Sequence, residues 1–591
     1  MTDRLKPDPL DVSRQWLGLS ERAQKALADF MSRKAENGWQ NDMMQPALQA
    51  YQQFLAGWSQ DPARLLAAST AFWKDYTHLW QQSWQKMMGK EAAPVVTVKD
   101  KRFADDTWQQ NAVFDFIKQS YALTAGWVQH VIRDTPGIDA KSRNKIEFFT
   151  RQWLDAASPS NFWMTNPEAL KQVIDTGGES LLRGFKNLLE DIERGDGELK
   201  ISMTNPTAFR LGENMASTPG QVIYRNEMME LIQYAPTTNM VGATPLLIIP
   251  PWINKYYILD LQEQNSFVRH AVENGHTVFM ISWINPDASH AQKSFEDYMA
   301  QGPLAALDVI DKICGTNTTN IVGYCLGGTL LSATLAYLHH HGRQSRVNSA
   351  TYLVTMVDFS EPGDLGVFID DMQITALETH MFQRGYLEAS AMATTFNLLR
   401  ANDLIWSFVV NNYLLGREPM PFDLLYWNAD ATRMPATMHS YYLRQMYLNN
   451  RLCKPNALKM LNTPIDLTQI ETPSYILATR DDHIAPWRSA YACTQIYKGP
   501  TTFVLAGSGH IAGVINAPAA NKYGYWTNSI KPISPDSWLE SASEHKGSWW
   551  LHWDSWLKQF SGHQVPARQP GSRDYQPLEA APGSYVKVRA A

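Results

Sequence analysis

The chain has 591 residues, of which 44% are hydrophobic and 19% are charged, so it is long enough for several domains and has a globular composition. Its 52 basic and 58 acidic residues give a net charge of −6, too small an imbalance to indicate nucleic-acid binding. The N-terminus lacks a secretory signal, no segment reaches the roughly 20 apolar residues of a membrane span, and the four cysteines form no C-x-x-C pair. We therefore expect a protein of the reduced cytosol, without a membrane span or structural metal.

Residues 1–205 are predicted to form an all-helical N-terminal domain, because apolar residues recur there at three- and four-residue spacing while strand-like alternation is missing. A proline-containing stretch near 90–102 predicts a linker within this region. Asn166 followed by Pro167 predicts the start of a helix. Tryptophans recur in these segments, and we expect them to pack against the helical core rather than to form a separate binding surface: Trp16, Trp58, Trp73, Trp80, Trp84, Trp127 and Trp153.

Residues 206–591 are predicted to form an α/β domain. An opening hairpin at 221–234 is followed by short apolar runs that alternate with helical lengths, at 245–250, 277–283, 320–324, 350–356, 473–479 and 501–506. Unbroken apolar strands of this kind indicate a parallel sheet covered on both faces. Residues from about 360 to 470 are helical and rich in aromatic side chains, and they are too numerous for a loop, so we expect a lid or cap. The tail after Gly562 is expected to lie across the surface.

The sequence GYCLGG at residues 323–328 follows a predicted strand and precedes a predicted helix. This is the context of a nucleophile elbow, in which flanking glycines allow a strained turn to lift one side chain above the sheet. Cysteine takes the place of the usual serine, at Cys325. The N-terminus of the following helix favours the thiolate form of that cysteine. Cys325 is therefore the predicted nucleophile, and the alternative is a glycine-rich turn with a buried cysteine.

A nucleophile in this position requires an acid and then a histidine from later strand ends. Asp481 and Asp482 directly follow the run at 473–479, and His510 follows the run at 501–506 in a glycine-containing loop. Each match alone carries little weight, because aspartates in turns and histidines in loops are common. Because all three matches fall at the expected strand ends, we predict that Cys325, one of the two aspartates and His510 form a single catalytic site.

The loop after the first parallel strand is the place from which this architecture supplies one backbone N–H to an oxyanion hole. The sequence PPWINKYY occupies residues 250–257, and Ile253 is the candidate donor. The second N–H is expected from Leu326, directly after the nucleophile. Lys255 in the same loop is either a solvated charge or a contact for a phosphate group, and the sequence does not separate the two.

A cysteine nucleophile suits a thioester substrate, because acyl exchange between two thiols is nearly balanced in free energy. Transfer of the acyl group from sulfur to an alcohol then lowers the free energy, because an ester is more stable than a thioester. The aromatic-rich insertion and the 21 tryptophans suit a lipid-like acyl chain better than a peptide. The residues therefore predict acyl transfer through a cysteinyl thioester, with no metal or organic cofactor.

Several motifs from about residue 100 to the C-terminus together resemble the class I polyhydroxyalkanoate synthases: PPWINKYYILD at 250–260, GYCLGG at 323–328, YWNAD at 426–430, DHI at 482–484, GHIAGVIN at 509–516 and YVKVR at 585–589. The resemblance implies an α/β-hydrolase fold with a mostly parallel central sheet and a helical cap insertion at about 360–470. It also implies a homodimer that polymerises (R)-3-hydroxyacyl-CoA, at the surface of the cytoplasmic granules in which the polyester collects.

Carried over position by position, the resemblance makes Cys325 the residue that holds the growing acyl chain and His510 its base. Asp482 fills the acid position rather than Asp481, because the family pattern has the acid directly before His-Ile. Whether Asp482 only orients His510 or also helps to deprotonate the incoming 3-hydroxyl stays open. The substrate-binding candidates are Asn254, Trp427 and His483.

Two other functions are compatible with the sequence. A polyester depolymerase or an acyl-CoA thioesterase of the same fold would use the same three catalytic residues, and access of water to the acyl-enzyme separates them from a polymerase. A granule-surface binding protein would instead rely on the tryptophan-rich N-terminal helices, with the cysteine motif as a relic. We expect the polymerase, and an assay with a 3-hydroxyacyl-CoA distinguishes these functions.

Overall fold

The computed structural model describes residues 22, 39–195 and 197–590, which form two compact units. The first unit contains the described residues up to Asn205 together with Phe396–Pro421. The second contains Pro206–Thr395 and the chain from Phe422 onwards. The segment 396–421 lies within the insertion that the sequence assigns to the second domain, so the chain returns once to the first unit. The division into two functional domains stays a prediction.

The first unit is built from helices whose starts are capped by neighbouring side chains. Asp61, Asn111, Asp139 and Asn166 each precede a helix and accept hydrogen bonds from its first backbone N–H groups. The predicted helix start at Pro167 is confirmed. The α-helices are Trp39–Gln60, Pro62–Met87, Thr107–Gln110, Ala112–Arg133, Ala140–Ala156, Pro167–Asp175 and Glu179–Arg194, and the π-helical segments are Asn402–Trp406 and Val409–Leu414. Residues 90–100, within the predicted linker, contain no helix or strand.

The tryptophans of the first unit do not all pack into its core. Trp58 is buried, but four others have exposed fractions between 57% and 67%: Trp73, Trp80, Trp84 and Trp153. The expectation of core packing is therefore wrong for these four. Three of them recur at seven- and four-residue spacing on the helix Pro62–Met87, so they lie along one face of that helix, and this face is turned to solvent. Trp16 lies outside the described residues.

The second unit contains a mixed sheet with a parallel centre. From one edge to the other its strands are Ser543–His545, Tyr525–Thr527, Thr501–Ala506, Ser474–Thr479, Val347–Leu353, Thr319–Tyr324, Leu246–Ile249, Val278–Trp283, Met229–Tyr234, Gly220–Arg225 and Glu579–Ala580. The six central strands, from Thr501–Ala506 to Val278–Trp283, run parallel, and the strands outside them pair antiparallel. The predicted parallel strands and the opening hairpin are confirmed.

The central strands are buried on both faces, which is why they read as unbroken apolar runs. In the strand Leu246–Ile249, Leu247 and Ile249 join one hydrophobic cluster, while Leu246 and Ile248 join a second cluster on the opposite face. Helices cover both faces: Phe267–Glu273, Phe295–Met299, Ala305–Cys314, Leu326–His340, Trp487–Tyr491, Cys493–Ile496, Pro535–Glu540 and Trp550–Leu557. The carboxyl ends of the parallel strands therefore meet at one edge, where this architecture places its ligands.

The insertion between the strands Val347–Leu353 and Ser474–Thr479 is largely helical, as the sequence predicts. Its helices are Asp371–Arg384, Ala389–Leu399, Asp423–Asn428 and Ala436–Tyr441, followed by the π-helical segment Tyr442–Leu448. The helix Ala389–Leu399 contains the boundary between the two units at residue 395. None of the described helices is both long enough and apolar enough to cross a membrane.

The C-terminal tail adds strands to the second unit instead of only lying on its surface. Gln564–Pro566 pairs with Met240–Gly242, and Glu579–Ala580 pairs with the edge of the large sheet at residues 221–222. Further along, Val586 is buried. The last described turn is thus held on the same unit as the strands that carry the predicted catalytic residues.

Candidate active site

Cys325 occupies the turn between the central strand Thr319–Tyr324 and the helix Leu326–His340. Its backbone has φ 52° and ψ −119°, which is a strained conformation for a residue with a side chain. Its N–H donates to the carbonyl of Leu353 (2.8 Å), and its own carbonyl accepts the N–H of Gly328 (2.9 Å). Hydrogen bonds on both sides thus hold the strained turn, and the predicted elbow geometry is present.

The three glycines of this turn are required because neighbouring atoms leave no room for a side chain. A Cβ atom at Gly327 would overlap the carbonyl oxygen of Ile249, and one at Gly328 would overlap the side chain of Thr355. At Gly323 it would lie against the Cα atom of Gly328 across the turn. The helix start therefore packs directly on the end of the strand Leu246–Ile249, which leads into the predicted oxyanion loop.

The loops that carry the acid and the base are joined by their backbones. The N–H of Arg480 donates to the carbonyl of Ala506, and the N–H of Asp481 donates to the carbonyl of Ser508, each at 2.9 Å. These bonds continue the pairing of the strands Ser474–Thr479 and Thr501–Ala506 beyond their ends. The side chain of Asp481 is 59% exposed, whereas that of Asp482 is fully buried. The neighbouring aspartate is therefore the one available inside the site.

Asp482 and His510 form a buried pair. The Nδ1 atom of His510 lies 2.7 Å from Oδ2 of Asp482. The other carboxylate oxygen accepts the N–H groups of Ile484 (2.9 Å) and Ala485 (2.8 Å). Because Nδ1 is occupied by the carboxylate, Nε2 of His510 is left for Cys325, whose sulfur is near enough to raise the pKa of the imidazole. The structure thus brings the three predicted residues together in the order acid, histidine, thiol.

The electrostatics of His510 result from opposing effects. Burial by itself lowers the pKa of the imidazole, because it disfavours the charged form. The carboxylate of Asp482 and the negative charge of Cys325 outweigh burial and raise the pKa of His510 to about 10. The ring of Tyr324 lies parallel to the imidazole, with 6.0 Å between ring centroids. The charged imidazole is therefore favoured as long as the sulfur is anionic.

The two candidate oxyanion donors lie on adjoining elements. Leu326 is the first residue of the helix after Cys325, where backbone N–H groups have no partner within the helix. Ile253 follows the strand Leu246–Ile249, whose last carbonyl touches the helix start at Gly327. The carbonyl of Ile253 accepts the hydroxyl of Thr432 at 2.6 Å, so its backbone is fixed from the insertion. The role of both N–H groups stays a prediction.

Lys255 is not a solvated charge, so that alternative is wrong, and the phosphate contact stays a prediction. The residue is 5% exposed, and its Nζ atom lies 2.8 Å from Oδ1 of Asp430. The hydroxyl of Tyr257 donates to the other oxygen of that carboxylate (2.9 Å). Burial lowers the pKa of the Lys255 ammonium, and the attraction of Asp430 offsets part of this effect. Lys255 thus belongs to a buried ion pair.

The three substrate-binding candidates have different surroundings. Trp427 is buried, and its Nε1–H donates to the carbonyl of Lys255 (2.7 Å). Asn254 forms an antiparallel bridge with Ala431 and lines a small cavity beside that lysine. The carbonyl of His483 accepts the N–H of Asp364 at 3.3 Å. None of these contacts tests substrate binding, which stays a prediction for all three residues.

Sequence analysis missed two buried tyrosines of the insertion that interact electrostatically with Cys325. Tyr442 and Tyr447 are both buried, and their rings meet edge to face at 5.2 Å with Phe359 against both. Burial raises the pKa of both phenols, and the negative charge of Cys325 raises the pKa of each further. Both phenols thus remain protonated next to the thiol. A run of aromatic residues in the insertion was the available signal, but it did not single out these two.

Comparison with known proteins is consistent with this geometry. A family model described as the N-terminus of poly-beta-hydroxybutyrate polymerase (PhaC) matches residues 99–271, and a model of the α/β hydrolase fold matches residues 244–517. A putative lipase from Acinetobacter baumannii has a TM-score of 0.30 at 11% identity, covering 50% of this chain and 86% of the lipase chain. The fold assignment rests on the family model and the sheet order.

Three curated relatives cover most of the chain. A poly(3-hydroxyalkanoate) polymerase from Methylorubrum extorquens is 49% identical over 90% of this chain and 88% of its own length. A poly(3-hydroxyalkanoate) polymerase subunit PhaC from Rhizobium meliloti is 47% identical over 90% and 87%. The subunit PhaC of Cupriavidus necator is 43% identical over 98% of this chain and 95% of its own. At these identities, over nearly the whole length of each relative, the chain belongs to the poly(3-hydroxyalkanoate) polymerase family.

Proposed function

We propose that this enzyme polymerises (R)-3-hydroxyacyl-CoA into a polyester, with release of CoA and through a thioester on Cys325. The observation that carries the proposal is the buried His510–Asp482 pair, with 2.7 Å between Nδ1 and Oδ2, together with the strained elbow at Cys325, whose sulfur raises the pKa of that imidazole. A thiol, a base and an orienting acid in this order are the parts that acyl transfer by covalent catalysis needs. Membership of the polymerase family supports the acyl-CoA substrate and the polyester product.

In the first step His510 accepts the proton of the Cys325 thiol, and the thiolate attacks the carbonyl carbon of the acyl-CoA thioester. The resulting oxyanion is stabilised by the N–H groups of Leu326 and Ile253. The carbon–sulfur bond to CoA then breaks, and the CoA thiolate takes the proton from His510. The acyl group is left on Cys325, and one thioester has replaced another.

In the second step the acyl group passes to an alcohol. Acylation removes the negative charge of Cys325, and this charge is one cause of the raised pKa of His510. The pKa of the imidazole therefore falls once the acyl-enzyme has formed, and the neutral ring can accept the proton of a 3-hydroxyl. The alkoxide attacks the carbonyl of the acyl-enzyme, an ester bond forms, and the sulfur of Cys325 leaves and takes a proton from His510.

Water competes with the 3-hydroxyl for the acyl-enzyme, so a polymerase must keep the sulfur dry. The buried side chains of Phe359, Tyr442 and Tyr447 pack against one another, and both tyrosines interact electrostatically with Cys325, which supports a site that excludes water. A depolymerase or thioesterase would have to admit water at this position.

The test is incubation of the purified enzyme with (R)-3-hydroxybutyryl-CoA, followed by separate measurement of free CoA and of product size. We expect CoA release together with a high-mass polyester. Release of CoA together with free hydroxyacid would identify a hydrolase and overturn the proposal. Cys325→Ala should release no CoA, while Cys314→Ala, which changes a cysteine at the end of the helix Ala305–Cys314, should behave as the wild type.

We further propose that the enzyme works as a homodimer in the cytoplasm, at the surface of the polyester granules it forms. The resemblance of its motifs to the class I synthases supports this assembly and location. Sedimentation of the purified enzyme with and without substrate measures the oligomeric state. Fractionation of polyester-producing cells, with Cys325→Ala as the control that makes no polymer, tests for association with granules.

A further inference from the structure

Residues 427–432, a short stretch of the insertion, hold the candidate oxyanion loop by hydrogen bonds to the backbone carbonyls of that loop. The hydroxyl of Thr432 lies 2.5 Å from the carbonyl oxygen of Trp252 and 2.6 Å from that of Ile253, so its one proton is shared by two acceptors. The backbone N–H of Thr432 also donates to the carbonyl of Ile253 (3.3 Å). Two consecutive peptide groups of the loop are therefore bound by a single threonine.

The same stretch is anchored to the loop by charge. The Nζ atom of Lys255 lies 2.8 Å from Oδ1 of Asp430, and the Nε1–H of Trp427 donates to the carbonyl of Lys255 at 2.7 Å. The lysine and the aspartate are 5% and 6% exposed, so their attraction is screened little by solvent. Loss of either partner would leave a buried unpaired charge.

The geometry points to Thr432, supported by the Lys255–Asp430 pair, as the positioning residue that sets the direction of the Ile253 N–H. This inference rests on the proposed function, which assigns that N–H to the oxyanion hole. Thr432 acts through the loop and touches no reacting atom in this scheme.

The physical reason is the planarity of the peptide bond. The carbonyl of Trp252 and the N–H of Ile253 belong to one peptide group, and in a trans peptide they point in opposite directions. A hydrogen bond from Thr432 to the Trp252 oxygen therefore fixes the N–H on the other side of the plane. Without that bond the peptide can rotate, and an N–H that has turned away no longer stabilises the oxyanion.

The test compares three variants by the rate of CoA release from (R)-3-hydroxybutyryl-CoA and by the rate at which iodoacetamide alkylates Cys325. Thr432→Val keeps the side-chain shape but removes the hydroxyl, and Thr432→Ser keeps the hydroxyl. Thr334→Val is the matched control, because Thr334 is also buried and its hydroxyl donates to a backbone carbonyl, that of Leu330.

We expect Thr432→Val to lower kcat by about 10- to 100-fold, since one oxyanion donor is misdirected, with KM changed by less than about 3-fold. Alkylation of Cys325 should keep its wild-type rate, because attack on iodoacetamide forms no oxyanion. Thr432→Ser should restore most of the activity, and Thr334→Val should match the wild type. If Thr432→Val does not fold, Thr432→Ala, which also lacks the hydroxyl, carries the test with the same two readouts.

The outcomes separate the inference from the function on which it rests. If the wild type releases no CoA, the proposed function fails and the inference fails with it. If the wild type is active and Thr432→Val has the same kcat, only the inference is overturned. Slower alkylation of Cys325 in Thr432→Val would mean a general distortion of the site and would also overturn it.

Discussion

The Nδ1–H group of His510 donates to Oδ2 of Asp482 (2.7 Å), while Oδ1 of that carboxylate accepts the N–H groups of Ile484 and Ala485. The loop that carries Asp482 therefore holds the carboxylate in place independently of its contact with the ring. The ring in turn has only Nε2 left for Cys325. These contacts fit the predicted role of Asp482 in orienting His510.

Asp482→Asn should lower the rate of CoA release by about 100- to 10,000-fold, because the amide favours the wrong imidazole tautomer and no longer stabilises the charged ring. If the carboxylate acts only on His510, acylation and chain elongation should fall by the same factor. A larger fall in elongation would show that Asp482 also helps to deprotonate the 3-hydroxyl. Rapid-quench measurement of both steps decides this, with exposed Asp481→Asn as the control.

The free energy of unfolding should decrease at alkaline pH, because the imidazole of His510 then loses its proton. The folded-state pKa is raised from 6.5 to about 10, so the charged imidazole contributes stability that is complete below pH 6.5 and is lost as the pH rises toward 10. The melting temperature of the wild type should therefore fall across this window. His510→Gln should show a smaller fall, and equal slopes for both proteins would argue against a charged ring.

The strained turn at Cys325 predicts an unusual order of stability between two substitutions. With φ at 52° and ψ at −119°, alanine keeps the strain and glycine relieves it. Cys325→Gly should therefore have a larger free energy of unfolding than Cys325→Ala, by about 1 kcal/mol. At Cys314, within a helix, the order should reverse by about the same amount, because glycine disfavours helix. Chemical denaturation of the four variants measures both differences.

Gly327→Ala should damage both stability and activity. Its methyl group would overlap the carbonyl oxygen of Ile249, a backbone atom that cannot move without separating the helix from the sheet. We expect a loss of roughly 2–4 kcal/mol in the free energy of unfolding and strongly reduced CoA release. Gly126→Ala is the control, since no atom lies within 4 Å of its added methyl group. An active, stable Gly327→Ala enzyme would contradict the close approach described above.

The packing of residues 396–421 within the first unit can be tested at Gly184. A methyl group there would overlap the backbone carbonyl of Tyr413, whose hydroxyl donates to Asp191 at 2.6 Å. Gly184→Ala should loosen this segment and speed its cleavage in limited proteolysis, whereas Gly126→Ala should leave the cleavage rate unchanged. Wild-type resistance in Gly184→Ala would mean that the segment is held elsewhere.

The parts of the fold that sequence analysis predicted are those that depend on local pattern. The parallel strands are buried on both faces, so each is a visible apolar run, and the helix start at Pro167 carries its own cap. The elbow at Cys325 was predicted from its local glycine pattern, although Gly327 and Gly328 are required by Ile249 and Thr355, which lie elsewhere in the chain.

The parts that sequence analysis missed depend on contacts between distant positions. The ion pair of Lys255 could not be predicted because its partner, Asp430, lies far along the chain, inside the insertion. Nothing near Thr432 indicates that its hydroxyl binds the loop at Trp252. The tryptophans of the helix Pro62–Met87 fit a core-facing stripe by spacing, and only the packing of neighbouring helices decides which side is covered.

The return of residues 396–421 to the first unit means that the catalytic unit is discontinuous in sequence. A fragment that begins at Pro206 would still contain those residues. Its Tyr413 would lack Asp191, the carboxylate that accepts the hydrogen bond of its hydroxyl. Shortening the protein to its catalytic unit therefore requires removal of both the N-terminal residues and residues 396–421, with a new linker in place of the latter. A simple N-terminal deletion would leave residues 396–421 without the helices on which they pack.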